Sequence, residues 1–237
     1  MDLLGDYRFR GNKHRGYDEF LAEYPEHCTY MKQLHDKFDS WEKTSFACGA
    51  HFQMYHEIVK KIVENKCKHV IEYGAGFTTQ LLEFTRSKLD WEMEFYSYDM
   101  HQNYVDVLHA EGFDPRGRIE VTGYTVNCNY EDDTREIMYI HDLEKHKDVD
   151  YIILDGPDGN PKHELNKACK ELEHIATLNP KALFEYTDRH FDFTIDGRWP
   201  ERMYYTRYFK RIYGEDFNWG PPFSANWKDV NPQSNER

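Results

Sequence analysis

KHVIEYGAGFTT, residues 68–79, is the stretch from which the rest of the chain is best read. Val70, Ile71 and Tyr73 run into Gly74-Ala75-Gly76, and Thr79, Leu81, Leu82 and Phe84 then recur at helical spacing. That is the pattern of a strand, a tight turn and a helix. Glycines at 74 and 76 let the backbone take positive φ and approach a ligand closely. The free N–H groups of a helix starting near Thr78 offer a seat for an anion. Glu72 sits within the apolar strand, where a charge is costly unless it is paired, so it counts as a candidate functional carboxylate.

Any strand-to-helix turn favours glycine, so the following strands carry the argument. EFYSYD, residues 94–99, reads as a second strand ending in an acid. Asp99 follows Gly74 by about 25 residues, near the interval at which an acid meets a ribose in nucleotide-binding βαβ units. VDYIILDGP, residues 149–157, is a nearly continuous apolar run of the kind found in a buried parallel strand, and it ends in Asp155 and a turn. KALFEYT, residues 181–187, reads as a further strand that delivers Asp188, Arg189 and His190. Ligands of parallel sheets bind beyond the carboxyl ends of the strands, where all these residues fall.

Glu72-Tyr-Gly-Ala-Gly76 with Thr78 and Thr79, Asp99, and Asp155-Gly-Pro in this order resemble the motifs of class I S-adenosylmethionine-dependent methyltransferases. The likeness spans roughly residues 50–190. It departs from the dinucleotide fingerprint G-x-G-x-x-G, because Thr79 stands where the third glycine would be, and this counts against an NAD enzyme. The resemblance implies a Rossmann-like, doubly wound, mostly parallel α/β sheet with helices on both faces and a C-terminal antiparallel strand pair. It implies that Gly74, Ala75, Gly76, Phe77, Thr78 and Thr79 hold the amino-acid end of S-adenosylmethionine. Glu72 would fix its ammonium directly or through water, Asp99 would accept the ribose hydroxyls, and Met100 would lie against adenine. Asp155 would complete the cofactor site.

Asp155 and Asp188, at the ends of neighbouring strands, are candidates for holding a divalent cation such as Mg2+. The arrangement is similar to that of metal-dependent O-methyltransferases, where the metal lowers a hydroxyl's pKa. His190 or His163 is then the candidate base, so Asp155, Asp188 and His190 form the expected catalytic set. As ordinary structure, the two aspartates would cap helices or bind Arg189. No Asn-Pro-Pro-Tyr-like tetrapeptide follows the fourth strand, which disfavours amino-methylation of nucleic acid. The expected acceptor is a hydroxyl on a small molecule or carbohydrate, including anionic metabolites. A catalytically silent binding protein and an NAD-dependent oxidoreductase are the alternatives.

Composition narrows the field. A formal charge of −13 over 237 residues disfavours adhesion to nucleic acid or anionic lipid. The cysteines are odd in number and lack a C-x-x-C pair, which fits reduced thiols. No apolar run approaches the roughly 20 residues of a membrane span, so a cytoplasmic protein is expected. Aromatic residues make up 16% of the chain, so its core is expected to be ring-rich.

The expected organisation is an N-terminal arm and helical cap over 1–50, a methyltransferase domain over 51–219 and an irregular tail over 220–237. Apolar periodicity predicts helices over 17–24, 27–42, 51–65 and 101–111, a helix from Glu131 to about Lys145, and another from Pro161 through Ile175. A short strand is predicted at 118–121, and another within Arg207–Tyr213.

Overall fold

A computed structural model describes residues 16–38, 52–110, 119–122, 124–129, 134–139, 141–154, 166–169, 183–186 and 224–225. Its architecture is α/β. Two helices, α1 (Tyr17–Glu23) and α2 (Pro25–Phe38), are separated by Tyr24, and α2 opens on a proline, which suits the first helical turn. The long amphipathic α3 (Phe52–Asn65) buries Phe52, Tyr55, Ile58, Val59 and Ile62. It ends on Lys66 in the left-handed region (φ 50°), with Cys67 N–H bonded back to the Ile62 carbonyl at 3.1 Å. Such a closure ends a helix and turns the chain sharply; here it delivers β1 (His69–Tyr73).

There follow α4 (Phe77–Lys88), β2 (Glu94–Asp99), α5 (Gln102–Ala110) and β3 (Ile119–Val121). Next come β4 (Tyr124–Asn129), β5 (Thr134–Tyr139) and a 3-10 turn at Leu143–His146. Four short strands complete the described chain: β6 (Tyr151–Leu154), β7 (Asn166–Cys169), β8 (Leu183–Tyr186) and β9 (Ser224–Ala225). The main sheet has the order β3-β2-β1-β6-β8-β9, parallel throughout except for the β8–β9 pair. β4, β5 and β7 form a second, three-stranded sheet.

Alternation along the strands gives the main sheet two chemically different faces. Val70, Phe95, Tyr151 and Ile153 join Phe20, Met31, Tyr55, Ile58, Leu81, Leu82 and Val105 in one buried cluster, so α1 to α5 all share this core. The N-terminal helices expected as a cap are therefore packed into the same interior as α3 and α4. Each fully buried Val, Ile, Leu or Phe stabilises by about 1.5–3 kcal/mol, enough to make this face the mainstay of the fold. The opposite face presents His69, Ile71, Tyr73, Tyr96, Tyr98 and Ile152, with Ile71 beside Tyr96 and Ile152, and Tyr73 beside Tyr98. His141 and His146 lie against it.

Three readings need correction. Residues from Glu131 to Lys145 do not form one helix: Thr134–Tyr139 pairs antiparallel with Tyr124–Asn129, and only Leu143–His146 makes a helical turn. Thr134, Ile137 and Tyr139 are strand formers, and an adjacent partner strand outweighs their helical spacing. Within the helix expected over 161–175, Asn166–Cys169 instead pairs parallel with β5, again because a ladder partner overrides local preference. The tail over 220–237 is not wholly irregular, since Ser224 and Ala225 pair with Glu185 and Phe184 and supply the antiparallel edge. The strand expected within Arg207–Tyr213 lies outside the described residues. No described helix is long and apolar enough to cross a membrane.

Candidate functional site

The candidate site begins where β1 ends. Gly74 takes φ 97°, a left-handed conformation open to glycine and costly for other residues, and its N–H donates to the Tyr98 carbonyl at 2.7 Å. Ala75 N–H donates to Asp99 Oδ2 at 3.0 Å, and His101 N–H donates to Asp99 Oδ1 at 2.7 Å. The glycine turn and the acid at the end of β2 are thus joined directly. Asp99 is buried, and that burial raises its pKa against the lowering effect of these backbone amides. Met100, next in the chain, is half-buried.

Gly76 differs from Gly74. Its φ of 179° is extended backbone, so the positive φ expected at both glycines holds only at Gly74. What Gly76 offers is space, because a Cβ added there would meet nothing within 4 Å. Its N–H donates to Thr79 Oγ1 at 3.0 Å at the opening of α4, where Phe77, Thr78 and Thr79 are buried. On the far side of the turn, the Phe77 ring meets His35 of α2 edge-on at 5.0 Å between centroids.

Beneath the turn, Glu72 is fully buried and its carboxylate gathers hydroxyls from β2 and α4. Thr78 Oγ1 donates to Oε1, while Thr79 Oγ1 at 2.6 Å and Ser97 Oγ at 2.5 Å donate to Oε2. These bonds explain how a carboxylate is tolerated inside an apolar strand. They also use the hydroxyl protons of Thr78 and Thr79, so both oxygens can only accept from any further partner.

The chain runs from β1 through α4 to β2 on one side, while β6, which follows β5 in the chain, lies on the other side of β1. The strand order therefore reverses at β1, the kind of point beyond which parallel sheets bind ligands. Tyr73 is in register with both Tyr98 and Leu154, so β1, β2 and β6 end together. At the end of β3, Thr122 N–H donates to the Asp99 carbonyl at 3.0 Å, whereas Thr122 Oγ1 is buried without a hydrogen-bond partner. Open space at Gly76, beside the Asp99 carboxylate that holds the Ala75 amide, fits a polar ligand lying across the strand ends.

Glu72, Gly74, Ala75, Gly76, Phe77, Thr78, Thr79, Asp99 and Met100 are therefore brought to one edge. Asp155, Asp188, His190 and His163 lie outside the described residues. Among the described residues, no group of three or more His, Cys, Asp or Glu side chains is arranged to hold a metal ion. Sequence reading missed a second group beside the crevice. Tyr73, Tyr98, His141 and His146 form a ring cluster on the face opposite Glu72; His141 falls inside the stretch that reads as a helix to about Lys145, and His146 just past its end. No known protein family, curated protein or solved structure matches this chain.

Proposed function

We propose that the chain is an S-adenosylmethionine-dependent methyltransferase on a Rossmann-like, doubly wound sheet, acting on a hydroxyl of a small molecule or carbohydrate. The observation that supports this reading most is the bond from the Ala75 amide to Asp99, which joins the glycine turn, with its open space at Gly76, to the acid at the end of β2. The cofactor, when bound, supplies an activated methyl group. The chain's part is to bind and align, because an in-line transfer depends chiefly on holding nucleophile and carbon in position.

In this reading the extended backbone at Gly76 lies along the amino-acid end of the cofactor. Thr78 Oγ1, its proton committed to Glu72, accepts from the ammonium, so Glu72 acts through a hydroxyl as well as by its charge. Asp99 keeps lone pairs beyond those used by Ala75 and His101, and these accept the ribose hydroxyls. Met100 covers adenine. Asp155 and Asp188 remain the proposed ligands of a divalent cation, with His190 as base.

The test is isothermal titration of the purified protein with S-adenosylmethionine, S-adenosylhomocysteine and NAD, followed by mass spectrometry of an acceptor panel. Binding of NAD alone refutes the reading, and binding of S-adenosylhomocysteine without any methylated product identifies a silent binder. Asp99→Ala should weaken S-adenosylhomocysteine by at least about tenfold, since a charge-assisted hydrogen bond contributes about 1.5–3 kcal/mol. A loss below about threefold, under half of that energy, removes the ribose assignment.

A further inference from the structure

The two strands that end at the crevice carry a tyrosine immediately before each functional element: Tyr73 precedes Gly74, and Tyr98 precedes Asp99. Both side chains are buried on the face opposite Glu72, with ring centroids 5.8 Å apart. Each hydroxyl meets a histidine from the segment that leads into β6. Tyr73 Oη lies 2.9 Å from His141 Nε2, and Tyr98 Oη lies 2.7 Å from His146 Nε2. The His141 ring stacks on Tyr98 at 4.3 Å and 8°. His146 Nδ1 continues to His69 Nε2 at 3.0 Å. The floor beneath the turn and the acid is thus a layer of tyrosines and histidines.

This layer is built for neutral imidazoles. In the chain Tyr98–His146–His69 each link holds one proton, and either direction of donation satisfies both nitrogens of His146. A second proton on His146 turns both nitrogens into donors. It forces Tyr98 Oη to accept, strands that hydroxyl's own proton, and places a charge where no solvent reaches, His146 being fully buried. His141 is half-buried, and its Nδ1 is buried without a hydrogen-bond partner.

The surrounding charges are already engaged. Glu120 of β3 pairs with Lys145 at 3.6 Å, and the Lys145 ammonium lies 4.0 Å from the centre of the Tyr96 ring. Glu94 of β2 accepts from Tyr96 Oη at 3.3 Å, and Asp142 accepts from the Glu144 amide at 3.1 Å. Asp150 accepts from the amides of Lys68 and His69, and Asp148 acts on His69 only through its field. Among the described residues no carboxylate hydrogen-bonds to His141 or His146. Burial accordingly depresses the pKa of His69 and His141 and takes that of His146 down to about 3.

We propose that the Tyr73–Tyr98–His141–His146 layer is a proton-sensitive support for the crevice: neutral, it holds the Gly74 turn and Asp99 together, and acid releases it and lowers cofactor affinity. The cofactor part rests on the function proposed above; the release of the turn does not. The coupling is thermodynamic. Histidines freed from the layer regain ordinary basicity near 6.5, so below that pH each can favour the released state by up to tenfold per pH unit.

The deciding measurement is hydrogen exchange of the full chain from pH 7.5 to 5.0, corrected for intrinsic exchange rates, with α3 amides 58–62 as reference. The opening of amides 74–79 should increase at least tenfold across this range and at each pH should exceed that of the reference, whose exchange follows global unfolding. His146→Gln and His141→Gln retain hydrogen-bonding capacity without a titrating nitrogen, and each should flatten the dependence. Exchange at 74–79 that is independent of pH, or whose opening equals that of the reference at every pH as in global unfolding, overturns the proposal. So does an unchanged slope in both variants. The wild-type series decides by itself if a variant does not fold.

In parallel, S-adenosylhomocysteine affinity should fall at least tenfold from pH 7.5 to 5.5 in the wild type and less in the variants. An equal fall in the variants overturns the proposed link to affinity. Absence of binding at pH 7.5 refutes the cofactor reading and leaves the exchange result to decide the fate of the support.

Discussion

Substituting the two glycines of the turn should separate folding from binding. Gly76→Ala adds a methyl group to extended backbone at φ 179°, into space where nothing lies within 4 Å. The folded state accepts it without strain, while the unfolded chain loses freedom. Stability should therefore stay level or rise by up to about 1 kcal/mol. The same methyl enters the region assigned to the cofactor. Forcing a methyl-sized group into an occupied contact costs about 1–3 kcal/mol, which corresponds to about 5- to 150-fold in Kd. Gly74→Ala behaves in the opposite sense, because φ 97° is strained for alanine and folding stability should fall by about 1–3 kcal/mol. Urea denaturation and titration with S-adenosylhomocysteine on both variants give the four numbers required. A Gly76→Ala protein that binds like wild type would show that the turn does not face the cofactor. One that loses more than about 1 kcal/mol of stability would contradict the open space described at that position.

Glu72→Leu should destabilise the fold by about 2–5 kcal/mol, because the hydroxyls of Thr78, Thr79 and Ser97 lose their common acceptor; wild-type stability in urea would refute this. Gly16→Ala should cost at least about 2 kcal/mol, since Gly16 has φ 74° and a Cβ there would lie 2.5 Å from the Gln53 Cα of α3; a melting temperature within about 2 °C of wild type would refute it. Acid should weaken the fold through His27 and His146, whose pKa values are depressed to about 4 and about 3. Both are neutral when folded but take up protons near pH 6.5 when unfolded, so their stabilisation is complete above that pH and is lost as pH falls toward the folded values. The loss is about 2.5 kcal/mol for each between pH 7 and 4.5. His146→Gln should show the smaller slope in urea midpoints across that range, and parallel slopes would refute its assignment.

The sequence discloses the elements whose local pattern and tertiary role agree. Val70, Ile71, Ile152 and Ile153 lie in strands buried on both faces and read as apolar runs, while α3 presents one apolar side and one charged side. The turn was legible because glycines directly after an apolar run mark the end of a strand, and Asp99 because it closes the next run of alternating residues. The pairing of Glu72 was only half visible. Thr78 and Thr79 are close in sequence, but Ser97 reaches it through the β1–β2 register, which no local pattern encodes. His141 and His146 were hidden for a similar reason. Ile137 and Met138, shortly before them, fit a helical spacing as well as a strand, and only pairing with β4 decides between the two. At Gly76, residue type told of backbone freedom, whereas the structure assigns the glycine to empty room.

Asp150 carries a consequence for how the chain is made. Its N–H donates to the His69 carbonyl at 2.8 Å while its carboxylate holds the amides of Lys68 and His69, closing the entrance of β1 onto that of β6. During synthesis, β1, β2 and β3 can pair once residue 121 has emerged, but one border of β1 stays uncovered until residues 151–154 arrive. At about 5–20 residues per second that interval lasts a few seconds. A ribosome stalled within it would expose a row of unpaired amides, a form open to chaperones and to self-association.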